Sequence, residues 1–198
     1  MDNKLGDGAG AGEKAVIASQ NWVTALSSKN PWQTKLIAAS IRHYNQLALL
    51  AGTDVFTIPP KVAVAGRAEL HDKFSSRMHE DYEVTLYSSA EGAHIEKFWE
   101  VDDNVLGLAE RLALSPPATG AELVHIAREE GCADMFPFLS KDEKTTVAKD
   151  GKIPVYSRWS RQIKEGKIAP DTLLTLAGIE SFTADQNMLD ERIREIIS

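Results

Sequence analysis

The sequence predicts an α/β fold in which a strand–helix–strand segment is followed by a mainly helical region. The segment occupies residues 34–60 and reads TKLIAASIRHYNQLALLAGTDVFTIPP. Its two apolar stretches, 34–42 and 54–58, have the length of strands, and the intervening 44–51 has helical character that Gly52 ends. Strands joined through a helix pair in parallel by a right-handed crossover. We therefore expect a βαβ unit at this place in the chain.

The first strand carries its polar groups at its carboxyl end. Positions two apart in a strand share a face. The shared face here carries Leu36, Ala38, Ser40 and Arg42. Apolar groups low on the face and a hydroxyl and guanidinium at its end are typical of a β/α barrel strand that packs the interior and binds an anion at the mouth. The segment is therefore predicted to be a partial TIM-barrel-like βαβ unit.

Two blocks of this segment, TKLIAASIR and LAGTDVFTIPP, resemble the seventh and eighth barrel strands of the transaldolase family. The family patterns are T-K-x-x-A-A-S-x-R and L-A-G-x-D-x-x-T-I-x-P. A third block, AGIESFTADQNMLDERI at 177–193, resembles the family's closing helix, G-I-x-x-F-x-x-D-Q-x-x-L. The order and separation of the first two blocks make the match specific, whereas residues 66–175 resemble the family much less.

The resemblance implies a role in sugar-phosphate metabolism of the pentose phosphate type. Transaldolases transfer a dihydroxyacetone unit through a Schiff base on a lysine of the fourth barrel strand, and no part of this sequence matches that strand. We therefore expect a transaldolase-like protein that lacks the Schiff-base lysine and is inactive alone, with no cofactor. The alternative is a non-catalytic phosphate-binding or protein-interaction module derived from a transaldolase barrel.

The candidate phosphate-binding residues are Ser40 and Arg42. An arginine can hold a phosphate through two parallel hydrogen bonds, and a serine hydroxyl supplies another. The alternative is a surface ion pair and a serine that ends a strand. No catalytic residue is assigned, because Lys35 has the opposite parity in its strand and Lys61 follows two prolines in an exposed loop. His43 either borders the anion site or faces a helix.

Other reactive side chains favour structural roles. The histidines lack zinc-site spacing, so no metal site is predicted. The acidic pairs at 102–103 and 129–130 are interpreted as helix termini rather than acid–base dyads. Cys132 is expected to fill space. Arg158 and Arg161 are expected to belong to a surface ion-pair cluster, with a second anion contact as the alternative.

Three regions are expected along the chain: a flexible tail at 1–12, a transaldolase-like helix–strand–helix–strand segment at 13–66, and a mainly helical region with the closing helix at 67–198. In the second region, a helix over 13–27 is expected to bury Val16, Trp22, Val23 and Leu26. Downstream, the patterns predict a charged helix over 67–81, a short strand over 82–87 and a helix over 101–114.

Local signals place the remaining helices. Thr119 with Glu122, and Ser140 with Glu143, have the spacing of capping boxes, so each pair predicts a helix start. A helix from Pro170 is expected to stop at Gly178. The last predicted helix carries apolar residues on one face, which is expected to pack against the rest of the protein: Phe182, Leu189, Ile193 and Ile196.

Composition narrows the expected partners and compartment. The 198 residues carry a net charge of −7, which argues against broad binding to nucleic acid or an anionic membrane. A single cysteine, no signal-peptide pattern and no apolar stretch long enough for a membrane span favour the cytoplasm. Two strands leave sheet edges unpaired, so we expect a homo-oligomer or a partner chain that completes the sheet. A sugar phosphate is the expected small-molecule partner.

Overall fold

The computed structural model describes residues 5–28, 34–71 and 74–197, and this part of the chain is mainly helical. Of these residues, 58% are helical and 3% are in strands or bridges. The predicted α/β class with a TIM-barrel-like βαβ segment is therefore wrong. The reason is that the two strands are each only two residues long and form a two-stranded sheet, without any further β unit in the described residues to continue a barrel.

The helices and strands follow one another in a simple order. They are α1 (Ala11–Ser27), β1 (Ile37–Ala38), α2 (Asn45–Leu49), β2 (Val55–Phe56), α3 (Pro60–Glu69), α4 (Asp103–Leu114), α5 (Gly120–Glu129), α6 (Lys141–Asp150), α7 (Tyr156–Lys164) and α8 (Pro170–Ile197). They divide into two compact units. The amino-terminal unit is Gly6–Tyr87, and the carboxyl-terminal unit comprises Leu5 and the described residues from Ser88 onward.

The two strands of the amino-terminal unit pair in parallel, as predicted. Ile37 is aligned with Val55 and Ala38 with Phe56. The Thr57 amide extends the ladder by donating to the Ala38 carbonyl at 2.9 Å. This small sheet lies in a core of buried apolar side chains: Ile17, Ala38, Ile41, Leu47, Leu50 and Val62.

Helix α1 begins at Ala11, two residues before the predicted start, and ends at Ser27 as predicted, but it buries a different face from the one predicted. Trp22 and Leu26 are exposed, whereas Glu13, Ile17 and Gln20 are buried. The buried residues lie at i, i+4 and i+7, which is one side of the helix. The side that faces the core is therefore chosen by hydrogen bonds to its two polar residues as well as by apolar contact.

Helix α3 begins earlier than predicted and ends earlier. It starts at Pro60, whose fixed φ suits the first turn of a helix, and it ends at Glu69, so the helix predicted through residue 81 is wrong. A Cβ on Gly66 would lie 3.1 Å from Leu47 Cδ1, so glycine allows α3 to pack closely on α2. The strand predicted at 82–87 is reduced to an isolated antiparallel bridge between Gly6 and Leu86, which does not extend the parallel pair.

The starts of α4, α5 and α6 are set by side-chain caps. Asp102 accepts from the Val105 amide at 2.9 Å, and Thr119 accepts from the Glu122 amide at 3.2 Å. Ser140 and Glu143 form a complete capping box, as predicted. Two buried clusters support these helices. One contains Val147, Trp159, Ile163, Ile168, Leu173 and Ala177, and the other contains Leu108, Ile126, Ala127 and Cys132.

Helix α8 continues through Gly178, so the predicted break there is wrong. Leu173 and Ala177, in its first part, are buried in the carboxyl-terminal core. Beyond Gly178 the large apolar side chains are exposed, so the prediction that this face packs within the protein is wrong for the described residues. No helix in the described ranges has the length and apolar character needed to cross a lipid bilayer.

Candidate anion site

The end of β1 determines where the two predicted phosphate-binding side chains lie. Ser40 has a φ of 59°, in the left-handed region, so the strand geometry stops before it. As a result Ile41 is buried, whereas Ser40 and Arg42 are both exposed. The single row of alternate residues predicted from 36 to 42 is therefore broken at Ser40. Both polar side chains nevertheless lie just beyond the carboxyl end of β1.

Gln46 organises the turn that carries Arg42. Its Oε1 accepts from the amides of Arg42, at 2.8 Å, and His43, at 3.1 Å. Its Nε2 donates to Oε1 of Glu13 at 2.9 Å, and Glu13 is 9% exposed. These two backbone amides already have an acceptor, so an anion at this turn would be held by side chains. The turn itself is held in one geometry through Gln46.

His43 lies on the surface beside this turn. Its Nδ1 accepts from the Asn45 amide at 3.2 Å, and its ring centroid lies 4.2 Å from that of Tyr44. The contact with Tyr44 turns the ring toward its own segment of chain. Of the two sequence interpretations, an exposed residue that borders the turn fits this geometry better than one buried against a helix.

Charge at this edge of the sheet is unbalanced. The Arg42 guanidinium has no hydrogen bond or ion pair within residues 5–28, 34–71 and 74–197, so the predicted alternative of a surface ion pair is not formed there.

A separate groove of about 500 Å³ in the same unit is lined by Ile58, just after β2, and by α2 and α3 side chains. Its charged or titratable lining groups are Arg67 and His71, with no carboxylate.

The opposite edge of the sheet carries a saturated polar cluster around Asp54. The Asp54 carboxylate accepts from Gln20 Nε2 at 2.9 Å, from Lys35 Nζ at 3.1 Å and from the Leu36 amide at 3.2 Å. The hydrogen bond from Gln20, followed by those from Leu36 and Lys35, lowers the pKa of Asp54 below its usual value. Lys35 is therefore an ion-pair partner of Asp54 at this edge of the sheet.

The roles of Glu13, Gln20 and Gln46 were not predicted from the sequence. A signal was present in α1, because Glu13 and Gln20 share a face with the apolar Ile17. Polar residues on the buried stripe of a helix need partners, and long amides are suited to reach them. Gln46 gave no such signal. Its side-chain partner, Glu13, is far away in the sequence, and its other two partners are backbone amides.

The lysines considered for Schiff-base chemistry are bound to carboxylates or exposed. Lys97 is the clearest case: burial acts to lower its pKa, but the hydrogen bond from Nζ to Asp134 at 2.8 Å and nearby carboxylates outweigh burial and raise it. A Schiff-base lysine needs the reverse, a pKa lowered by an apolar site. Lys35 pairs with Asp54, and Lys61 is exposed in the first turn of α3.

The remaining candidates form ion pairs or pack in the interior, and Arg158 and Arg161 have separate partners rather than one surface cluster. Glu129 and Glu130 each bind Arg111 at 2.7 Å. Cys132 is buried, and burial raises the pKa of its thiol. Arg161 pairs with Glu165. Arg158 pairs with Asp150, whose carboxylate also accepts from Trp159 Nε1 at 3.1 Å. No group of three or more potential metal ligands occurs among the residues described.

Comparisons of the chain with protein-family models, with curated proteins and with solved structures find no match.

Proposed function

We propose that the chain is a transaldolase-like protein that binds a sugar phosphate at Ser40 and Arg42 without transferring a dihydroxyacetone unit. The observation that carries the proposal is the exposed Arg42 guanidinium, which has no acidic partner in the described chain. Arg42 follows Ser40 by two residues, and both lie just beyond the carboxyl end of a parallel strand. Ligands of parallel sheets bind outside this end of the strands.

The chemistry of the two side chains suits a phosphate monoester. A guanidinium presents a planar pair of N–H donors that matches two phosphate oxygens, and the Ser40 hydroxyl can donate to a third. Gln46 holds the backbone of Arg42 in place before a ligand arrives, which reduces the ordering cost of binding. The buried Glu13 carboxylate lies behind Gln46 and opposes a nearby anion. We therefore expect modest affinity.

The surroundings of the lysine side chains support the proposed lack of transferase activity. The Schiff-base mechanism requires an uncharged amine as the nucleophile. Lys35 and Lys97 are each bound to a carboxylate, and Lys61 is exposed. None of these environments supplies the apolar, carboxylate-free site that the reaction needs.

Titration calorimetry with fructose 6-phosphate tests the binding site. Arg42→Ala is expected to weaken binding about tenfold or more, because a charge-assisted hydrogen bond contributes about 1.5–3 kcal/mol. Lys35→Ala is the matched control: it removes a cation from the same strand segment at the opposite edge and should leave affinity unchanged. Equal affinities for Arg42→Ala and the parent protein would refute the phosphate site.

Borohydride trapping tests the absence of catalysis. The protein, incubated with fructose 6-phosphate and sodium borohydride, should keep its intact mass. An added sugar phosphate would refute the proposal of a non-catalytic protein, and peptide mapping would identify the lysine responsible.

A further inference from the structure

The carboxyl-terminal part of α8 presents a continuous apolar seam to solvent. The positions of the seam are separated alternately by three and four residues along the helix. Large apolar residues occupy all of these positions except one, which is Gln186. The exposed fractions along the seam are Ile179 54%, Phe182 68%, Leu189 52%, Ile193 46% and Ile196 74%. This alternation is the a and d pattern of a coiled coil, in which each helix buries such a seam against another helix.

Within the described chain the seam has almost no cover. Lys152 lies beside it, with its Nζ 5.5 Å from the centroid of the Phe182 ring. The first part of the same helix is different, because Leu173 and Ala177 are buried in the core of the carboxyl-terminal unit. That core anchors α8, so a partner would meet a helix that is already formed. Contiguous exposed apolar surface of this kind marks an interaction site.

We propose that this seam is a homodimer interface, in which the α8 helices of two copies of the chain pack antiparallel about a two-fold axis. In that arrangement Ile179 lies opposite the partner's Ile196, Phe182 opposite the partner's Ile193, and Gln186 opposite the partner's Leu189. The seam is therefore complementary to itself, as an interface between identical subunits must be. At 1.5 Å per residue, residues 179–196 span about 27 Å.

The charges that flank the seam select the antiparallel direction. Asp185 and Arg192 both occupy the position that precedes an a residue, and neither forms an ion pair within the described ranges. Antiparallel packing places Asp185 opposite the partner's Arg192, and the two-fold axis repeats this attraction. Parallel packing would instead place Asp185 opposite the partner's Asp190, which is repulsive. Residues that flank a coiled-coil seam set partner choice and orientation in this way.

Gln186 is the polar interruption of the seam. Its Nε2 donates to Oδ1 of Asp190 at 2.8 Å within the same helix, so its amide does not depend on the partner for a hydrogen bond. A polar residue at one a position lowers stability and limits the alternative registers. Together with the short length of the seam, it predicts a dimer that dissociates on dilution.

Sedimentation velocity of the full chain over a wide range of concentration tests the interface. The parent protein should change from monomer to dimer as concentration rises. Leu189→Lys, in the seam, should keep the protein monomeric throughout. Met188→Lys is the matched control, since it adds the same charge to the neighbouring exposed position, outside the seam, and should dimerise like the parent. Circular dichroism establishes that the variants remain folded. A monomeric parent at every concentration, or equal losses from both substitutions, would overturn the interface.

Charge reversal tests the direction of packing. Asp185→Arg should weaken the dimer about tenfold, because it places two guanidinium groups opposite one another in the antiparallel arrangement. Adding Arg192→Asp to it should restore the parent affinity. Stronger dimerisation by Asp185→Arg alone would overturn antiparallel packing, because the parallel arrangement gives that new cation an aspartate partner. The Arg42→Ala variant should dimerise normally, so that failure of the phosphate site and failure of this interface are distinguishable.

Discussion

The small parallel sheet has an amino edge, where its two strands begin, and a carboxyl edge, where they end. Both carry polar side chains, but these side chains have different roles. At the amino edge, Asp54 is bound by Gln20, Lys35 and the Leu36 amide, so each charge has a partner. A cavity of about 320 Å³ adjoins this edge, and the charges that line it are Lys35 and Asp54, bound to each other. At the carboxyl edge, the exposed Arg42 has no such partner among the residues that the structure describes.

The difference separates stabilising polar groups from groups available to a ligand. A buried polar group whose partners are all within the protein contributes to folding, since breaking the network leaves unpaired donors or acceptors. An exposed cation without a partner contributes little to folding and can bind an anion without first losing another contact. Polar substitutions at the amino edge should therefore affect unfolding, and those at the carboxyl edge should affect binding.

The largest effect is expected for Gln20→Ala. Gln20 is 3% exposed, accepts from the Asp54 amide at 3.0 Å and donates to the Asp54 carboxylate. Its removal leaves a buried space and unpaired groups, which should lower the free energy of unfolding by about 2–3 kcal/mol. Urea denaturation followed by circular dichroism should show a lower midpoint with an unchanged slope. Ser19→Ala, at an exposed neighbouring position, is the control; an equal response of the two variants would contradict a role for this network.

A smaller effect, shared between folding and binding, is expected for Gln46→Ala. This variant leaves the Glu13 carboxylate without its donor and the amides of Arg42 and His43 without their acceptor. The free energy of unfolding should fall by about 1–3 kcal/mol, and fructose 6-phosphate binding should weaken less than in Arg42→Ala.

Gln46→Glu refines this test. It retains the acceptor for the two amides but places a second carboxylate against Glu13. Stability should be lowest at neutral pH and recover in acid, where one carboxyl group gains a proton and again donates. A pH-independent loss would show that the donor to Glu13 is unimportant.

The smallest effect is expected for the loss of stability at acid pH that Asp54 causes at the amino edge. Hydrogen bonds from Gln20, Leu36 and Lys35 lower the pKa of Asp54 in the folded protein relative to its usual value of 3.8. Its contribution to stability is therefore complete above pH 3.8 and is lost as the pH falls from there through the lowered pKa. Denaturation midpoints measured across this range should decline less steeply for Asp54→Asn than for the parent. Identical pH profiles would remove Asp54 from the acid response.

The strongest sequence predictions concern neighbouring residues. The capping pairs Thr119–Glu122 and Ser140–Glu143 lie three positions apart, so their hydrogen bonds form whenever the local chain turns into a helix. The parallel pairing of two strands across α2 was also predicted correctly, because the crossover is short and its hand is constrained. The strand was predicted to continue through Arg42, however, and it ends at Ala38, so the placement of Ser40 and Arg42 on its shared face was wrong.

Tertiary structure decided which surfaces these elements bury. The sequence of α1 determined a helix, but contacts with Gln46 and Asp54 decided that Glu13 and Gln20, rather than Trp22 and Leu26, face the core. Likewise, the apolar spacing of α8 determined an amphipathic helix. Whether its apolar face is exposed depends on which other parts of the folded chain pack against that face. Helix formation, capping and turns depend on residues within a few positions of one another. Burial and the α/β class depend on residues far apart, whose meeting no local pattern specifies.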